Sequence, residues 1–324
     1  MKKYCNEPFQ VVNIENNGDV SLCTCKPWHT LDIFGNLFEN SLEEIWANSK
    51  AEMFRKTILD QSFQYCNKMY CGKIWNLEEV NELPTTWPRL PTILYFQSLD
   101  DTCNLQCRSC RNELRYSGQM DKNADLILNK LIREYQNFDE DVLIGGDGSG
   151  EFFASKSYMK FLYDTQLPEC FNFSINSNGT LLNKNIEIIK KYKGRFRNIN
   201  VSFDAATAET YKDIRGHDFS QVITGIQRVV DLGITVSAQF VIQAKNYREI
   251  EDYKKLCDLL GVSFVGFQTI NRWSHMSDEW WRANRIDNNP MVNHSELAQA
   301  INRLRKLDSV GFDGRTLSIA DQYS

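Results

Sequence analysis

From residue 92 onward, short runs of apolar and β-branched residues alternate with longer stretches in which apolar residues recur at helical spacing. Six runs of the first kind predict strands, at 92–98, 141–146, 171–177, 198–204, 234–243 and 263–270. The stretches between them predict helices, at 124–138, 155–165, 183–193, 219–233 and 247–261. Gly233 and Gly261 stand where helices commonly end.

Strands that alternate with helices predict an α/β fold with a parallel sheet. An open or partial barrel and a doubly wound sheet both fit this pattern. A full barrel of eight units would need more chain than remains.

A run of prolines marks the clearest boundary in the chain. Pro84, Pro88 and Pro91 follow one another closely, which favours an extended segment and breaks helices. Before them the sequence is rich in cysteine and loops, and after residue 275 it predicts a helix with room for one further strand. The predicted divisions are a module at 1–82, a linker at 83–91, an α/β domain at 92–275 and a helical and strand extension at 276–324.

Composition limits the class of protein. Hydrophobic residues make up 42% of the 324 residues and charged residues 24%, which predicts a large buried core. The net charge of −5 provides no basic footprint, so no nucleic-acid partner is expected. The N-terminus lacks the apolar run of a signal peptide, and no stretch approaches the ~18 apolar residues of a membrane span. These patterns predict a cytoplasmic protein without a membrane partner.

The distribution of the 10 cysteines suggests metal chemistry, because a reducing cytosol disfavours structural disulfides. Cys103, Cys107 and Cys110 form a C-x₃-C-x₂-C triplet directly after the first predicted strand. Chemistry in parallel α/β folds lies at the carboxyl ends of strands, and three thiolates leave one metal position open. Thiolates suit iron–sulfur clusters, and zinc is a weaker alternative. Cys170 and Cys257 stand alone and predict small buried residues.

The triplet and the motifs after it resemble the radical S-adenosylmethionine (SAM) superfamily. The resemblance implies a partial (β/α)6 TIM-type barrel within the α/β class. It also implies that the three cysteines bind three irons of a [4Fe–4S] cluster, while SAM chelates the fourth iron.

The resemblance further implies a set of SAM contacts at successive strand ends. The Gly-Gly-Glu-Pro-like turn of the family matches Ser149-Gly150-Glu151-Phe152, with 145–147 as a rival register. Ser109 departs from the aromatic residue common before the last cysteine, which affects the expected adenine contact. No catalytic side chain is singled out. The expected SAM-binding residues are Gly150, Glu151, Asn178, Ser202, Asp204, Arg215, Val241 and Ile270, with Asn246 and the backbone near Thr269 as further adenine neighbours.

The N-terminal module resembles the SPASM auxiliary iron–sulfur domain, although that domain usually follows the radical SAM domain. The turn "NNGDV" predicts a hairpin that brings Cys5 and Cys23 together, and 41–56 predicts one amphipathic helix. The resemblance implies that Cys5, Cys23, Cys66 and Cys71 bind one auxiliary [4Fe–4S] cluster. Cys25 is a spare or alternative ligand, and a structural zinc site remains an alternative.

The family resemblance implies reductive cleavage of SAM to methionine and a 5′-deoxyadenosyl radical, which removes hydrogen from a substrate. It favours a peptide or protein side chain as substrate, with a flavodoxin or ferredoxin as reductant. Two alternatives stay open: a small-molecule dehydrogenase for sugar-like or aminocyclitol-like compounds, and a non-catalytic, metal-stabilised binding protein. Trp273, Trp280 and Trp281 predict either a substrate platform or packing for a C-terminal helix. The histidines show no spacing typical of a metal site.

Overall fold

The structure is a computed structural model that describes residues 1–24, 33–69, 71–107, 109–116, 118, 120–146, 149–164 and 166–323, with Gln97 described by its backbone alone. The chain divides into two compact units. The first unit contains residues 1–101, 117–150 and 155–173, and the second contains residues 102–116, 151–154 and 174–324. Among the described residues, no helix has the length and apolar character needed to cross a membrane.

The first unit combines a mixed sheet with short helices. Its strands are β1 (Lys2–Tyr4), β2 (Val11–Glu15), β3 (Asp19–Leu22), β4 (Gly35–Asn36), β5 (Glu78–Val80), β6 (Ile93–Ser98) and β7 (Val142–Gly145). Its helices are α1 (Glu7–Gln10), α2 (Leu42–Trp46), α3 (Ser49–Leu59), α4 (Gly72–Trp75), α5 (Asp121–Glu134) and α6 (Lys156–Tyr163).

The main sheet of this unit has the strand order β7-β6-β2-β3-β4. Strands β6 and β7 run parallel, and β2 pairs parallel with β6, with Val12 opposite Leu94. Strand β2 also pairs antiparallel with β3, and Gly18 turns the chain between them with a φ of +84°. The predicted hairpin is therefore confirmed. The parallel pairing of β2 with β6 was not predicted, and it makes the N-terminal strands part of the same sheet as the first strand of the α/β pattern.

The single helix predicted over 41–56 is wrong, because two helices form there. Ser41 caps α2 with a capping box in which its side chain accepts from the Glu44 N–H. Helix α2 ends at Trp46, and the Asn48 side chain then accepts the Ala51 N–H to start α3. An asparagine cap satisfies the first amides of a new helix, and this local bond overrides the continuous apolar period.

The second unit contains the strands that follow. They are β8 (Phe171–Ser177), which belongs to this unit from Ser174 onward, β9 (Phe196–Ser202), β10 (Val236–Ile242), β11 (Phe264–Thr269) and β12 (Val310–Phe312). Its helices are α7 (Ile186–Lys191), α8 (Ala208–Arg215), α9 (Phe219–Asp231), α10 (Ile250–Leu259), α11 (Asp278–Asn284), α12 (His294–Leu304) and α13 (Gly314–Gln322).

Strands β8 to β12 lie in chain order, and β9, β10, β11 and β12 pair in parallel. All six predicted strands form, with bounds that shift by up to two residues, and every predicted helix has a counterpart. Gly233 and Gly261 have φ values of +78° and +76°, as expected just beyond helix ends. The α/β class with parallel strands is confirmed. Helix α8 was not predicted, because its apolar period is short.

Candidate functional site

The cysteine triplet lies on a loop of the second unit that begins at residue 102. The Cys103 N–H donates to the Arg115 carbonyl at 2.9 Å, which closes the loop, and the Cys110 N–H donates to the Cys107 carbonyl at 2.9 Å, which forms a turn. Cys107 is buried, Cys103 is half-buried and Cys110 is exposed. The spacing that singled out these residues therefore corresponds to one compact loop with one thiol toward solvent.

Each of the three sulfurs has an N–H donor nearby. The Leu105 N–H lies 3.5 Å from Cys103 Sγ and Asn178 Nδ2 lies 3.9 Å from the same sulfur. Cys107 Sγ accepts from Arg215 at 3.8 Å, and Arg111 lies 3.8 Å from Cys110 Sγ. Such donors favour the thiolate form that binds iron–sulfur clusters, although burial raises the pKa of Cys103 and Cys107 overall.

Asn178, in the turn after β8, connects this turn to the cysteine loop. Its Nδ2 donates to the Asn104 Oδ1 at 2.9 Å as well as approaching Cys103. Its Oδ1 accepts from the Thr180 N–H at 3.0 Å, which fixes the amide orientation. The predicted SAM-binding Asn178 is thus adjacent to the predicted cluster loop.

Glu151 is a fully buried carboxylate that ties the same turn to the chain after β7. It accepts the Asn178 N–H at 2.5 Å and the Ser177 hydroxyl at 2.9 Å. Its own N–H donates to the Thr102 carbonyl at 2.7 Å, next to Cys103. Burial raises the pKa of Glu151 to about 7, although these hydrogen bonds and the Arg215 charge lower it. The Glu151 side chain therefore positions the site from within.

Asp204 and Arg215 form a buried ion pair beside Cys107. The carboxylate and the Arg215 guanidinium lie 2.5 Å apart, with 1% and 12% of the two side chains exposed. Asp204, just after β9, has a φ of +50° and accepts the Val241 N–H at 2.8 Å. Burial lowers the pKa of Arg215, but Asp204 and Cys107 raise it more, so its pKa is raised overall. Among the described residues, the buried Arg215 Nε has no hydrogen-bond partner.

Helix α8 explains how Arg215 reaches this position. The Thr207 side chain accepts the Thr210 N–H and caps the helix start, although no capping box forms. Arg215 is the last helical residue, and Gly216 ends the helix in the left-handed conformation with a φ of +71°. The cap and the glycine fix where the helix ends and so where the guanidinium lies.

The remaining residues predicted to contact SAM are Val241, Asn246, Ser202, Gly150 and Ile270. Val241 contributes its N–H to Asp204, and Asn246 donates to the carbonyls of both residues, so Asn246 braces the strand end. Ser202 and Gly150 are half-buried, whereas Ile270 is 2% exposed and donates its N–H to a β10 carbonyl.

The rival register at 145–147 includes Asp147, which lies outside the described residues. Gly145 has a packing reason of its own, because an added Cβ would lie 2.6 Å from the Tyr95 ring.

Two polar cavities adjoin the cysteine loop. One of about 330 Å³ is lined by Ser109, Lys212, Asp213, Gln243, Lys245 and Asn284, among others, and one of about 470 Å³ includes Arg111, Asn112 and His275. Gln106 and Trp280 line both cavities. Gln243 is 2% exposed, and its side-chain nitrogen has no hydrogen-bond partner among the described residues. Sequence reasoning did not single out Gln106 or Gln243, and their spacing carries no signal that could have done so.

The four predicted auxiliary ligands line one cavity of the first unit. Among the described residues, Cys5, Cys23, Cys66 and Cys71 share this cavity with apolar residues alone: Pro8, Phe54, Ile58, Phe63, Ile74 and Leu77. The pKa of Cys5 is raised to about 12, mainly by burial, with smaller contributions in the same direction from the charge of Glu7 and from the nearby Cys66 and Cys71. Cys25 lies outside the described residues.

The donor sets fit iron–sulfur clusters at both positions. Three thiols with N–H donors match a cluster that keeps one iron for another ligand, and four thiols in an apolar cavity match full protein ligation. Within the described residues, no three Cys, His, Asp or Glu side chains converge closely enough to hold a single metal ion.

Comparison with known families agrees with this geometry. The Radical SAM superfamily model matches residues 99–257, and the SPASM iron–sulfur cluster-binding domain model matches residues 5–72. The chain therefore contains a radical SAM domain preceded by a SPASM iron–sulfur domain. Its cofactors are SAM, the [4Fe–4S] cluster that binds SAM and an auxiliary iron–sulfur cluster. The SPASM match precedes the radical SAM match, as the order of the motifs indicated.

Individual relatives are distant. The chain is 28% identical over 201 residues to the GTP 3′,8-cyclase of Alkaliphilus metalliredigens, which covers 58% of this chain and 60% of that protein. It is 29% identical over 171 residues to the probable GTP 3′,8-cyclase of Methanococcus vannielii, with 51% and 54% covered. The chain thus spans between half and about three fifths of the length of these curated relatives.

Among solved structures, anSMEcpe with bound AdoMet matches with a TM-score of 0.50 and 16% identity, over 66% of this chain and 60% of that chain. This likeness shows the shared α/β partial-barrel fold.

Proposed function

We propose that this radical SAM enzyme removes a hydrogen atom from a side chain of a peptide or protein. A cluster held by Cys103, Cys107 and Cys110 would supply the one-electron reduction of bound SAM that hydrogen-atom abstraction from a substrate requires. The protein's contribution is to bind, orient and exclude water.

The lining of the two cavities beside the cysteine loop is the observation that carries this proposal. Four amide side chains lie there: Gln106, Asn112, Gln243 and Asn284. A side-chain amide both donates and accepts hydrogen bonds, which is the pattern of a peptide backbone. The half-buried Trp280 borders both cavities and offers a flat apolar surface for a side chain.

The charge of this lining favours a peptide over a nucleoside triphosphate, the substrate class in the names of the curated relatives. Lys245 lies 2.5 Å from Asp213, so that cation is already paired. Among the described residues, Lys212 and Arg111 are the other cations that line the two cavities. A triphosphate is bound by several converging cations and backbone amides. The lining of the two cavities offers fewer such groups than a triphosphate site needs.

The residues of the second unit take proposed roles around SAM. Arg215 pairs with the carboxylate of the methionine moiety through its unpartnered Nε, since guanidinium groups pair well with carboxylates. Asp204 and Ser202 face the ribose and methionine moiety, and Glu151 and Asn178 hold the turns that surround them. Val241 and Ile270 complete the proposed SAM site within the second unit. The three cysteines of the triplet and the four that line the apolar cavity are the proposed cluster ligands, and a flavodoxin or ferredoxin is the proposed reductant.

Deuterium transfer tests the substrate class. The reconstituted, reduced enzyme is incubated with unlabelled SAM and either deuterated proteins from the source cell or deuterated GTP. The 5′-deoxyadenosine formed is then analysed by mass spectrometry. Deuterium from the protein pool alone is the expected result. Deuterium from GTP alone would replace this proposal with a nucleotide substrate, and deuterium from neither would contradict both.

A further inference from the structure

We propose that Glu7 positions three of the four cysteine-bearing segments around the auxiliary cluster and supplies a negative charge that lowers its reduction potential. The argument rests on the first unit alone and does not depend on the substrate of the enzyme.

The contacts of Glu7 reach each of these segments. Glu7 itself stands two residues after Cys5. Its Oε2 accepts the Thr24 N–H at 3.0 Å and the Thr24 hydroxyl at 2.7 Å, and Thr24 directly follows Cys23. Its Oε1 lies 3.1 Å from the Lys73 ammonium, two residues after Cys71. One carboxylate therefore connects segments that are otherwise far apart in the chain.

Cys66 is held differently. Its N–H donates to the Phe63 carbonyl at 3.1 Å, and the Cys71 N–H donates to the Asn67 carbonyl at 3.0 Å. These turns fix the last two cysteines relative to each other, so Glu7 and Lys73 connect this local unit to the N-terminal segments. Contacts of this kind, one step removed from the metal, orient the residues that bind it.

The low exposure of Glu7 and its apolar surroundings let its charge act strongly on the auxiliary cluster. The Glu7 side chain is 8% exposed, whereas Lys73 is 57% exposed. Apart from the thiols, the described residues that line the cavity are apolar, and apolar surroundings screen a charge weakly. The potential of an iron–sulfur cluster depends on nearby charge, hydrogen bonds and solvent exposure. A buried negative charge disfavours added electrons, so Glu7 lowers the potential and the more solvated Lys73 raises it less.

Two variants of the full-length holoenzyme test the charge. Glu7→Gln keeps the size and an oxygen that can accept from Thr24, and Lys73→Met keeps the length of the side chain. The midpoint potential of the auxiliary cluster is measured by redox titration with electron paramagnetic resonance, and added SAM identifies the signal of the other cluster. We expect Glu7→Gln to raise the potential and Lys73→Met to lower it by a smaller shift. Lys3→Met is the matched control, because Lys3 pairs with Glu79 in the same unit with about half of each side chain exposed.

Iron retention tests the positioning. Glu7→Ala removes all three contacts and is expected to lose auxiliary iron during gel filtration, whereas Glu7→Gln keeps the wild-type content of about eight irons per chain. Thr24→Val removes one donor and should lose iron to an intermediate extent. Full iron in Glu7→Ala, together with unchanged potentials in Glu7→Gln and Lys73→Met, would overturn the proposal. Opposite potential shifts could not arise from a purely structural role.

Discussion

The guanidinium of Arg215 lies between two acceptors that belong to distant parts of the chain: the Asp204 carboxylate at 2.5 Å and the Cys107 sulfur at 3.8 Å. The three residues are mostly or fully buried. Arg215 thus neutralises the Asp204 carboxylate and also lies against a proposed cluster ligand. Its removal should affect both the stability of the fold and the chemistry of the site, and the two effects can be measured separately.

Replacing Arg215 with Met should destabilise the apo protein by about 3–5 kcal/mol, because Asp204 is left as an uncompensated buried charge. The double variant Arg215→Met, Asp204→Asn should lose less, since neither charge remains. Urea unfolding followed by circular dichroism gives both values. Equal losses in the single and double variants would show that Asp204 is not left as a costly buried charge.

Cys107→Ala should abolish formation of 5′-deoxyadenosine while about four irons per chain remain in the auxiliary site, because that site uses other thiols. Cys257→Ala is the matched control, since Cys257 is also buried but belongs to α10 and not to the cysteine loop. Iron analysis measures the cluster that remains, and chromatographic detection of 5′-deoxyadenosine measures SAM cleavage. Activity in Cys107→Ala would remove this cysteine from the proposed ligands.

Glu151 should make stability fall as the pH rises. Its folded pKa is about 7, above the ordinary 4.5, so the folded state holds a proton that the unfolded chain has released. The cost is absent below about pH 4.5, grows as the pH rises to about 7, and reaches roughly 3 kcal/mol above it.

Glu151→Gln cannot ionise and should lack this slope. The checking measurement is the difference in free energy of unfolding between wild type and variant, taken at both ends of that pH range on the apo protein. A difference that does not change with pH would show that Glu151 titrates normally.

Trp280→Ala should weaken substrate binding about tenfold while slow SAM cleavage without substrate continues, because Trp280 lines both cavities and is not among the proposed SAM contacts. Trp273 is 50% exposed and lines neither cavity, so Trp273→Ala is the control. The readout is the amount of substrate needed for half-maximal stimulation of 5′-deoxyadenosine formation. If both variants respond alike, Trp280 packs against the protein rather than against substrate.

The sequence predicted the elements that depend on local pattern. The six strands follow from apolar runs, and the cysteine loop follows from a spacing that leaves one ligand open. The contacts that organise the site were beyond local pattern, because they join distant positions: Asn178 lies 75 residues from Cys103, and Arg215 lies 108 residues from Cys107. Their meeting depends on how the strands pack and on where α8 ends.

The prediction of a single helix over 41–56 was wrong because one local hydrogen bond outweighed the apolar periodicity. The Asn48 side chain starts α3 and divides a helix whose apolar spacing looked continuous. The sequence of a strand also does not determine which strand pairs with it. The position of β2 beside β6 was therefore not predicted.

That position of β2 has a consequence for any shortened chain. A protein beginning after residue 82 would lose the strand that covers one side of β6, whose buried Leu94 and Phe96 form part of the core. The exposed row of backbone amides and carbonyls on β6 would then be a template for pairing with other molecules. Removing the N-terminal module should therefore cause aggregation and not yield a smaller active enzyme. The same module thus also protects the β6 edge of the sheet from pairing with other molecules.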